Sequence, residues 1–291
     1  MKNVVKIENL YEEGGMEAAK AILRKEGIAL VAVGSSACVR SLYFTAKEMG
    51  RLDVLFWRVL TRQDYSLGKQ EGAIQKCVQE ALTRLDIRGV IVYASCMDIL
   101  TGLDADAIMA EIDNPKEIPV EILYRGPLAK RKCPPIKTLE WIWERWGVKE
   151  QSDPESGTKE RIHEKKRISA PPMAPDFETF IADLQSEDCD ILLLTPGGCK
   201  SCMACQKEKT FLHVKNTCFS DLSVWNYKTE GIIDPILKSF PENKTLYLIS
   251  SMVMDAIGFD VEELCYQLQE KGKNAVYYKG AFGDLTAEQI I

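Results

Sequence analysis

Short apolar segments alternate with amphipathic segments along most of the chain. The segments IALVAV (28–33), GVIVYASC (89–96) and VEILYRGPL (120–128) are apolar and rich in β-branched residues, which is typical of buried strands. Between them, residues 64–82 place apolar side chains three and four positions apart, and this spacing predicts a helix. Strands that alternate with helices indicate βαβ units, in which helices cover both faces of a parallel sheet.

The second part of the chain repeats this order. Apolar segments at 191–195, 245–251 and 275–284 alternate with the helical patterns at 224–240 and 252–268. Landmark residues recur as well: Ile28 with Ile191, Glu71 and Gly72 with Glu230 and Gly231, Gly102 and Asp104 with Gly258 and Asp260, and Gly126 with Gly280. The pattern therefore predicts an α/β protein with two tandem Rossmann-like parallel-sheet domains, related by a pseudo-twofold axis.

A charged segment separates the two predicted domains. Residues 149–176 carry many charges and prolines but few large apolar residues, so we expect a linker there. The first domain then covers residues 1–148 and the second covers 177–291. Just before the linker, the segment TLEWIWERWG (138–147) predicts a helix whose tryptophans pack on the first domain or between the domains.

Composition narrows the functional classes. The chain has 291 residues, of which 46% are apolar, and this is enough for one large core or two modest ones. Its net charge of −6 and its lack of a dense basic segment argue against nucleic acid or an anionic membrane as a partner. The start of the sequence has no apolar signal segment, and no window approaches the roughly 18 apolar residues of a membrane span. We expect a cytoplasmic protein.

Three cysteines stand at consecutive intervals of three. Cys199, Cys202 and Cys205 follow the predicted strand at 191–195, and their spacing matches the first three positions of a ferredoxin-type cluster motif. The fourth cysteine of that motif is absent, because Lys209 stands in its place. The sequence has ten cysteines, and in a reducing compartment such a group favours a metal site over disulfides.

The missing ligand has three candidates. Cys218 is the nearest in sequence, whereas Cys38 and Cys96 follow predicted strands of the first domain. In open parallel sheets, ligands bind outside the carboxyl ends of the strands, so facing loops of the two domains would bring these thiols together. An iron–sulfur cluster is the first expectation. Zinc, which also accepts four thiolates, and a site without metal remain alternatives.

The other candidates receive no ligand role. Cys77 and Cys265 fall on apolar helix faces, where a buried thiol behaves as a small hydrophobic group. The turns at 34–38 and 195–199 lack both the P-loop lysine and the dinucleotide fingerprint, so we do not expect nucleotide binding. Cys133 and Cys189 have no spacing that singles them out, and we expect solvated or incidental roles for His163 and His213.

Three motifs follow one another in the first domain: GSSAC ending at Cys38, LTRQDYSLGKQEGAIQKCVQEAL (60–82), and VIVYASC ending at Cys96, which continues as MDILTGLDADAIMAEI. This ordered set resembles the nitrogenase component 1 family. This family includes the nitrogenase molybdenum–iron protein and related catalytic components of chlorophyll and coenzyme F430 biosynthesis. Its members place one cluster-ligating cysteine after the first strand and another after a later strand, before a Gly-Asp-Asp type turn. Cys38, Cys96 and the turn from Gly102 to Asp104 occupy these positions.

The second domain is similar to a degenerate second copy of the same pattern. Cys199 stands where Cys38 stood, Cys218 lies in a loop that often provides another ligand, and Ser251 replaces the thiol expected opposite Cys96. The resemblance implies two like domains that hold an iron–sulfur cluster at their interface. It also implies electron supply from an ATP-hydrolysing iron protein that docks over the cluster. Cys202 and Cys205 are additional to the family pattern and would enlarge the site or bind a second cluster.

These expectations lead to a nitrogenase-like reductase as the first functional hypothesis. It would pass low-potential electrons through a cluster held by Cys38, Cys96, Cys199 and Cys218 to a small-molecule substrate. A [4Fe–4S] cluster is the first expectation, with a larger cluster or two clusters left open. The alternatives are an electron carrier or cluster-assembly scaffold, and a structural metal site. The sequence does not identify the substrate, nor does it decide between a single chain and a homodimer.

Overall fold

The computed structural model describes residues 6–9, 16–124, 129, 133–148, 189–194, 214–218, 230–241 and 244–282. The predicted linker lies outside these residues. The described strands are β1 (Lys6–Asn9), β2 (Ile28–Gly34), β3 (Leu55–Val59), β4 (Gly89–Ala94), β5 (Val120–Tyr124), β6 (Cys189–Leu194), β7 (Val214–Cys218), β8 (Thr245–Ser251) and β9 (Ala275–Phe282). The described α-helices are α1 (Glu17–Arg24), α2 (Ser36–Glu48), α3 (Arg62–Ser66), α4 (Gln70–Leu82), α5 (Cys96–Leu100), α6 (Ala105–Ala110), α7 (Pro135–Arg145), α8 (Glu230–Ser239), α9 (Met252–Ala256) and α10 (Val261–Glu270).

The strands form two sheets, and the α/β class expected from the sequence is confirmed. One sheet has the order β3-β2-β4-β5, and all its strands are parallel. The other has the order β1-β7-β6-β8-β9, and its last four strands are parallel. In both sheets the four parallel strands run in the spatial order second, first, third, fourth along the chain. This order places a topological switch point between the first and third strands of each set.

The N-terminal strand β1 belongs to the second sheet. It pairs antiparallel with β7, with Lys6 opposite Cys218, although the helix that follows it packs on the first sheet. The second sheet is therefore mixed, whereas the sequence predicted only parallel strands. The short segment KIEN carries no apolar run, and its pairing partner lies about two hundred residues away, so its local sequence did not predict a strand.

Two stretches, the predicted helix at 64–82 and the segment after Cys96, are each divided by a glycine turn. Residues 64–82 fall into α3 and α4 around Gly68, whose φ is +65°. Residues 97–112 fall into α5 and α6 around Gly102, whose φ is +69°. A residue without a Cβ adopts this left-handed conformation at little cost, so glycine ends one helix and allows the next to start in a new direction. Asp104, the last residue of the expected turn, caps α6 by accepting a hydrogen bond from the Ala107 N–H.

Each sheet has its own apolar core. The first core is built around β2 and β4, all of whose residues are buried, and the second is built around β6 and β8. Helix α7 packs on α1, and it buries Trp143 while Trp146 covers Gly89. Trp141 on the same helix is 60% exposed, so the packing predicted for the tryptophans holds for two of the three. None of the described helices is long and apolar enough to cross a membrane.

Candidate functional site at the carboxyl ends of the strands

The switch point of the first sheet brings two of the predicted ligand positions to one edge. Cys38 follows β2 and Cys96 follows β4, and these strands are neighbours. Gly34, the last residue of β2, lies close to the turn after β4. A Cβ placed on Gly34 would be 3.6 Å from the Ser95 hydroxyl oxygen. Open α/β sheets bind ligands in the crevice outside a switch point.

Cys96 is the first residue of α5 and is fixed there by a buried cap. The Asp98 carboxylate accepts hydrogen bonds from the Ser95 backbone N–H at 2.5 Å and from the Ser95 hydroxyl at 2.8 Å. Asp98 is fully buried, and Cys96 is 8% exposed. Since the cap fixes the backbone on both sides of Cys96, the position of this thiol follows from the SCMD sequence itself.

Cys38 lies in the first turn of α2 and is more accessible. It is the third residue of the helix and is partly exposed. Its backbone carbonyl accepts a hydrogen bond from the Ser41 hydroxyl at 2.9 Å. The first sheet therefore presents one buried and one partly exposed thiol at adjacent strand ends.

The helix that follows β8 joins the two sheets. Helix α9 packs against α5, and its residues Met252 and Val253 are buried in the core of the first sheet. An ion pair between Arg62 of α3 and Asp255 of α9 adds a second interaction between the two halves. Asp255 also accepts a hydrogen bond from the Ser250 hydroxyl at 2.9 Å. We call this contact of α5, α9 and the Arg62–Asp255 pair the seam. It joins the carboxyl ends of strands from both sheets.

The structure corrects one correspondence between the halves. Ser251 precedes α9 as Ser95 precedes α5, so Ser95 corresponds to Ser251, and Cys96 corresponds to Met252. The expectation that Ser251 stands opposite Cys96 is therefore wrong by one residue, because Met252 occupies that position. Both helices begin directly after a buried strand and end before a glycine with positive φ, and this shared frame fixes the alignment.

The remaining predicted ligands are placed only in part. Cys199, Cys202 and Cys205 lie outside the described residues. Cys218 is the last residue of β7, a strand, although the sequence analysis placed it in a loop. The parallel register aligns Val214 with Ile191, and it puts the backbone of Cys218 one position beyond Leu194, the end of β6. Its backbone therefore lies at the carboxyl edge of the second sheet.

Other cysteines occupy different surroundings. Burial raises the pKa of the Cys77 thiol on α4 to about 12, and burial also raises the pKa of Cys265 on α10. Both results agree with the expected role as small apolar groups. Cys189 begins β6 and so lies at the amino edge of its sheet, away from the seam. Cys133 precedes α7, where its sulfur lies 3.3 Å from the Thr138 hydroxyl oxygen.

Burial and nearby carboxylates shift the pKa of a tyrosine at the end of β5. The pKa of Tyr124 is raised, first by burial and then by the negative charges of Asp98, Asp104 and Asp106. In α3, hydrogen bonds from Thr61 and Lys69 hold the pKa of Asp64 at about 2.

Among the described residues, no three His, Cys, Asp or Glu side chains group closely enough to hold a metal ion. Three of the six predicted ligands, however, lie outside that part of the chain.

Sequence reasoning missed the residues that build the seam. Arg62 and Asp255 are separated by most of the chain, and neither stands in a recognisable motif. Met252 and Val253 appeared as ordinary apolar positions of a helix. The one available signal was the internal repeat, since it predicted that equivalent strand ends of the two halves face each other.

Compared with known proteins, the chain matches no protein-family model and no curated protein.

Proposed function

We propose that this chain is an iron–sulfur protein of the nitrogenase-like type, which passes low-potential electrons through a cluster to a small-molecule substrate. The cluster would be held where the strand ends of two like halves meet. On this proposal the two sheets descend from one duplicated unit and are related by a pseudo-twofold axis. Their identical order of parallel strands supports the duplication.

The observation that carries the proposal is the seam. Two helices that directly follow central strands, α5 and α9, pack on each other, and one of them begins with Cys96. Cys38 lies at the neighbouring strand end of the same sheet. A cluster between the halves requires thiols at such strand ends, because ligands from each half must meet outside its switch point.

The donors at this edge suit iron–sulfur chemistry. Cys38 and Cys96 would hold the cluster together with Cys199 and Cys218, and Cys202 and Cys205 would enlarge the site or hold a second cluster. Thiolate sulfur is the usual protein ligand of such clusters. When bound, the cluster would supply one-electron transfer. Hydrogen bonds and exclusion of water by the surrounding residues would set its potential.

The proposal includes an ATP-hydrolysing iron protein as the electron donor. That partner follows from the family resemblance, and it distinguishes a reductase from an electron carrier or an assembly scaffold. A reductase would accept electrons only from such a donor during ATP hydrolysis. A carrier would exchange electrons with small redox dyes and flavoproteins without ATP.

The decisive experiment measures iron and acid-labile sulfide in the full chain purified without oxygen. We expect stoichiometric iron and sulfide, a brown colour, and an electron paramagnetic resonance signal after reduction. Substitution of Cys38 or Cys96 by Ala should lower the iron content, because each removes a thiolate ligand. Full iron retention in both variants would contradict the ligand assignment.

Two matched control variants use the buried helix cysteines. Cys77→Ala and Cys265→Ala also remove one thiol each, but from apolar helix faces where burial raises the thiol pKa. We expect both to keep the iron content and the spectrum of the unmodified chain. Equal iron loss in all four variants would indicate general unfolding. A chain without iron or sulfide would contradict the proposed function itself.

A further inference from the structure

The N-terminal end of α2 is buried and lacks a side-chain cap. Ser35 precedes the helix and Ser36 begins it, and their exposed fractions are 7% and 3%. The Ser35 side chain makes no capping hydrogen bond, and the first turn contains no acidic residue. The first N–H groups of a helix have no acceptor within the helix, and they carry about half a positive elementary charge. Because burial removes water from these groups, this end of α2 requires another acceptor.

Four other helices satisfy their first turn with their own carboxylate. The carboxylates accept backbone N–H hydrogen bonds at the start of each helix, with donor–acceptor distances of 2.5–3.0 Å: Asp64 in α3, Asp98 in α5, Asp104 before α6 and Asp260 before α10. The chain thus supplies an anion at several helix starts. Within the described part of the chain, no carboxylate caps α2, whose 13 residues make it one of the two longest described helices.

A second observation points to a ligand at the same place. The Ser36 hydroxyl oxygen is buried and has no hydrogen-bond partner within the described residues. Buried polar atoms are almost always paired, and an exception in a native fold commonly marks an absent water, ion or ligand. The Cα–Cβ bonds of a helix tilt toward its N-terminus, so the hydroxyl of the first residue lies at the end that carries the unpaired N–H groups.

Further hydroxyl groups surround this turn. Gly34 has a φ of +156°, and a Cβ placed on it would lie 3.5 Å from the Tyr65 hydroxyl oxygen and 3.6 Å from that of Ser95. Both hydroxyls therefore border the backbone that leads into α2. Cys38 lies on the same turn and is partly exposed. The turn also lies at the switch point between β2 and β4, where open α/β sheets bind ligands.

We propose that the N-terminal turn of α2 binds a small oxyanion, that is, a phosphate, sulfate or carboxylate group. The backbone N–H groups at positions 36 and 37 and the Ser36 hydroxyl donate hydrogen bonds to its oxygen atoms. The ligand neutralises a buried helix end whose own first turn contains no carboxylate. This inference goes beyond the proposed function and does not depend on it, because all the donors belong to the protein alone.

The test uses the full chain without metal. Inorganic phosphate, sulfate and acetate are each titrated at constant ionic strength, with chloride as the reference, and followed by thermal unfolding and isothermal calorimetry. We expect saturable binding and a rise in Tm with at least one oxyanion, and no such rise with chloride. A response to acetate alone would identify a carboxylate ligand, and a response to phosphate or sulfate a tetrahedral one. No saturable response to any of the three would overturn the proposal.

Two variants and one control locate the site. Ser36→Ala should weaken the affinity about tenfold or more, because it removes a hydrogen bond to a charged group. Ser41→Ala serves as the control, since this hydroxyl of the same helix already donates to the Cys38 carbonyl at 2.9 Å. Its anion affinity should stay unchanged. Equal affinity in Ser36→Ala and the unmodified chain would contradict the assignment of the site.

Ser35→Asp provides an independent test with the opposite effect on stability. The new carboxylate would cap α2 from within the chain and take the place of the anion. We expect a higher Tm without added anion, together with loss of the anion response. This variant decides the question even where Ser36→Ala does not fold. Ser35→Asp protein that still binds the anion with unchanged affinity would overturn the proposal.

Discussion

Helices α5 and α9 occupy equivalent places after β4 and β8, yet their side chains make different interactions. In α5, the Asp98 carboxylate accepts hydrogen bonds from Ser95 of its own half and caps the helix start that carries Cys96. In α9, Met252 replaces the cysteine, and Asp255 pairs with Arg62 of the other half. One backbone arrangement therefore presents a thiol in the first half and an apolar anchor in the second.

This difference separates two tasks that a symmetric pair of domains would share. The first half fixes a thiol at its strand end by a buried local cap. The second half uses the same position to attach itself to the first, since Met252 and Val253 enter the core of the first sheet. Loss of the anchor should therefore uncouple the halves, whereas loss of the cap should act on α5 alone.

The largest expected effect comes from the apolar anchor, that is, Met252 and Val253 of α9. Met252→Ala should lower the free energy of unfolding by about 3 kcal/mol, because it leaves a cavity between the two sheets. It should also separate the unfolding of the halves. Tryptophan fluorescence reports mainly the first half, since Trp57, Trp141, Trp143 and Trp146 precede the predicted linker. Far-ultraviolet circular dichroism reports both halves, so the two urea transitions should no longer coincide.

Met254→Ala is the matched control for the anchor. Met254 is fully buried two residues further along the same helix, but it belongs to the core of the second sheet. Its loss should cost a similar free energy while both probes still report one transition. Coincident transitions in both variants would show that α9 does not couple the halves.

Much of the fold could be predicted from the sequence. The central strands β2, β4, β6 and β8 each contain a continuous apolar segment. Such a segment predicts a strand that is buried on both faces of a parallel sheet. The strands β3 and β7 gave no comparable signal. β3 contains Arg58 and is only partly buried, and β7 reads VKNTC, so neither has the uninterrupted apolar run of β2 or β4.

The candidate site could be predicted only where ligand type and strand end coincide. Cys38 and Cys96 follow apolar strands, and their places at the carboxyl edge agree with the prediction. Arg62 and Asp255 could not be found in this way, because an exposed-looking charge has no local feature that reveals its distant partner. The unpaired hydroxyl of Ser36 was equally hidden, since its burial depends on the packing around the turn.

An intermediate effect is expected at the α5 cap. Asp98→Ala should lower the free energy of unfolding by about 2 to 3 kcal/mol, because the buried Ser95 N–H and hydroxyl then lack their acceptor. Asp260→Ala removes the N-cap carboxylate of α10, where Asp260 is exposed and accepts from the Glu263 N–H at 2.9 Å. Water can replace that acceptor, so we expect a cost of about 1 kcal/mol. Urea unfolding of both variants measures the difference, and equal costs would contradict the role assigned to burial at α5.

The smallest effect is expected from the ion pair across the seam. A double-mutant cycle with Arg62→Ala and Asp255→Ala should give a coupling free energy of about 0.5 kcal/mol, which decreases in 1 M salt. The reason is exposure, because the Arg62 side chain is 51% exposed and water screens its charge. Burial of the apolar side chains of Met252 and Val253 would then provide most of the free energy that holds the halves together. The ion pair would only adjust the relative orientation of the halves. A coupling above about 1.5 kcal/mol that persists in high salt would reverse this ranking, since exposed pairs rarely reach that value.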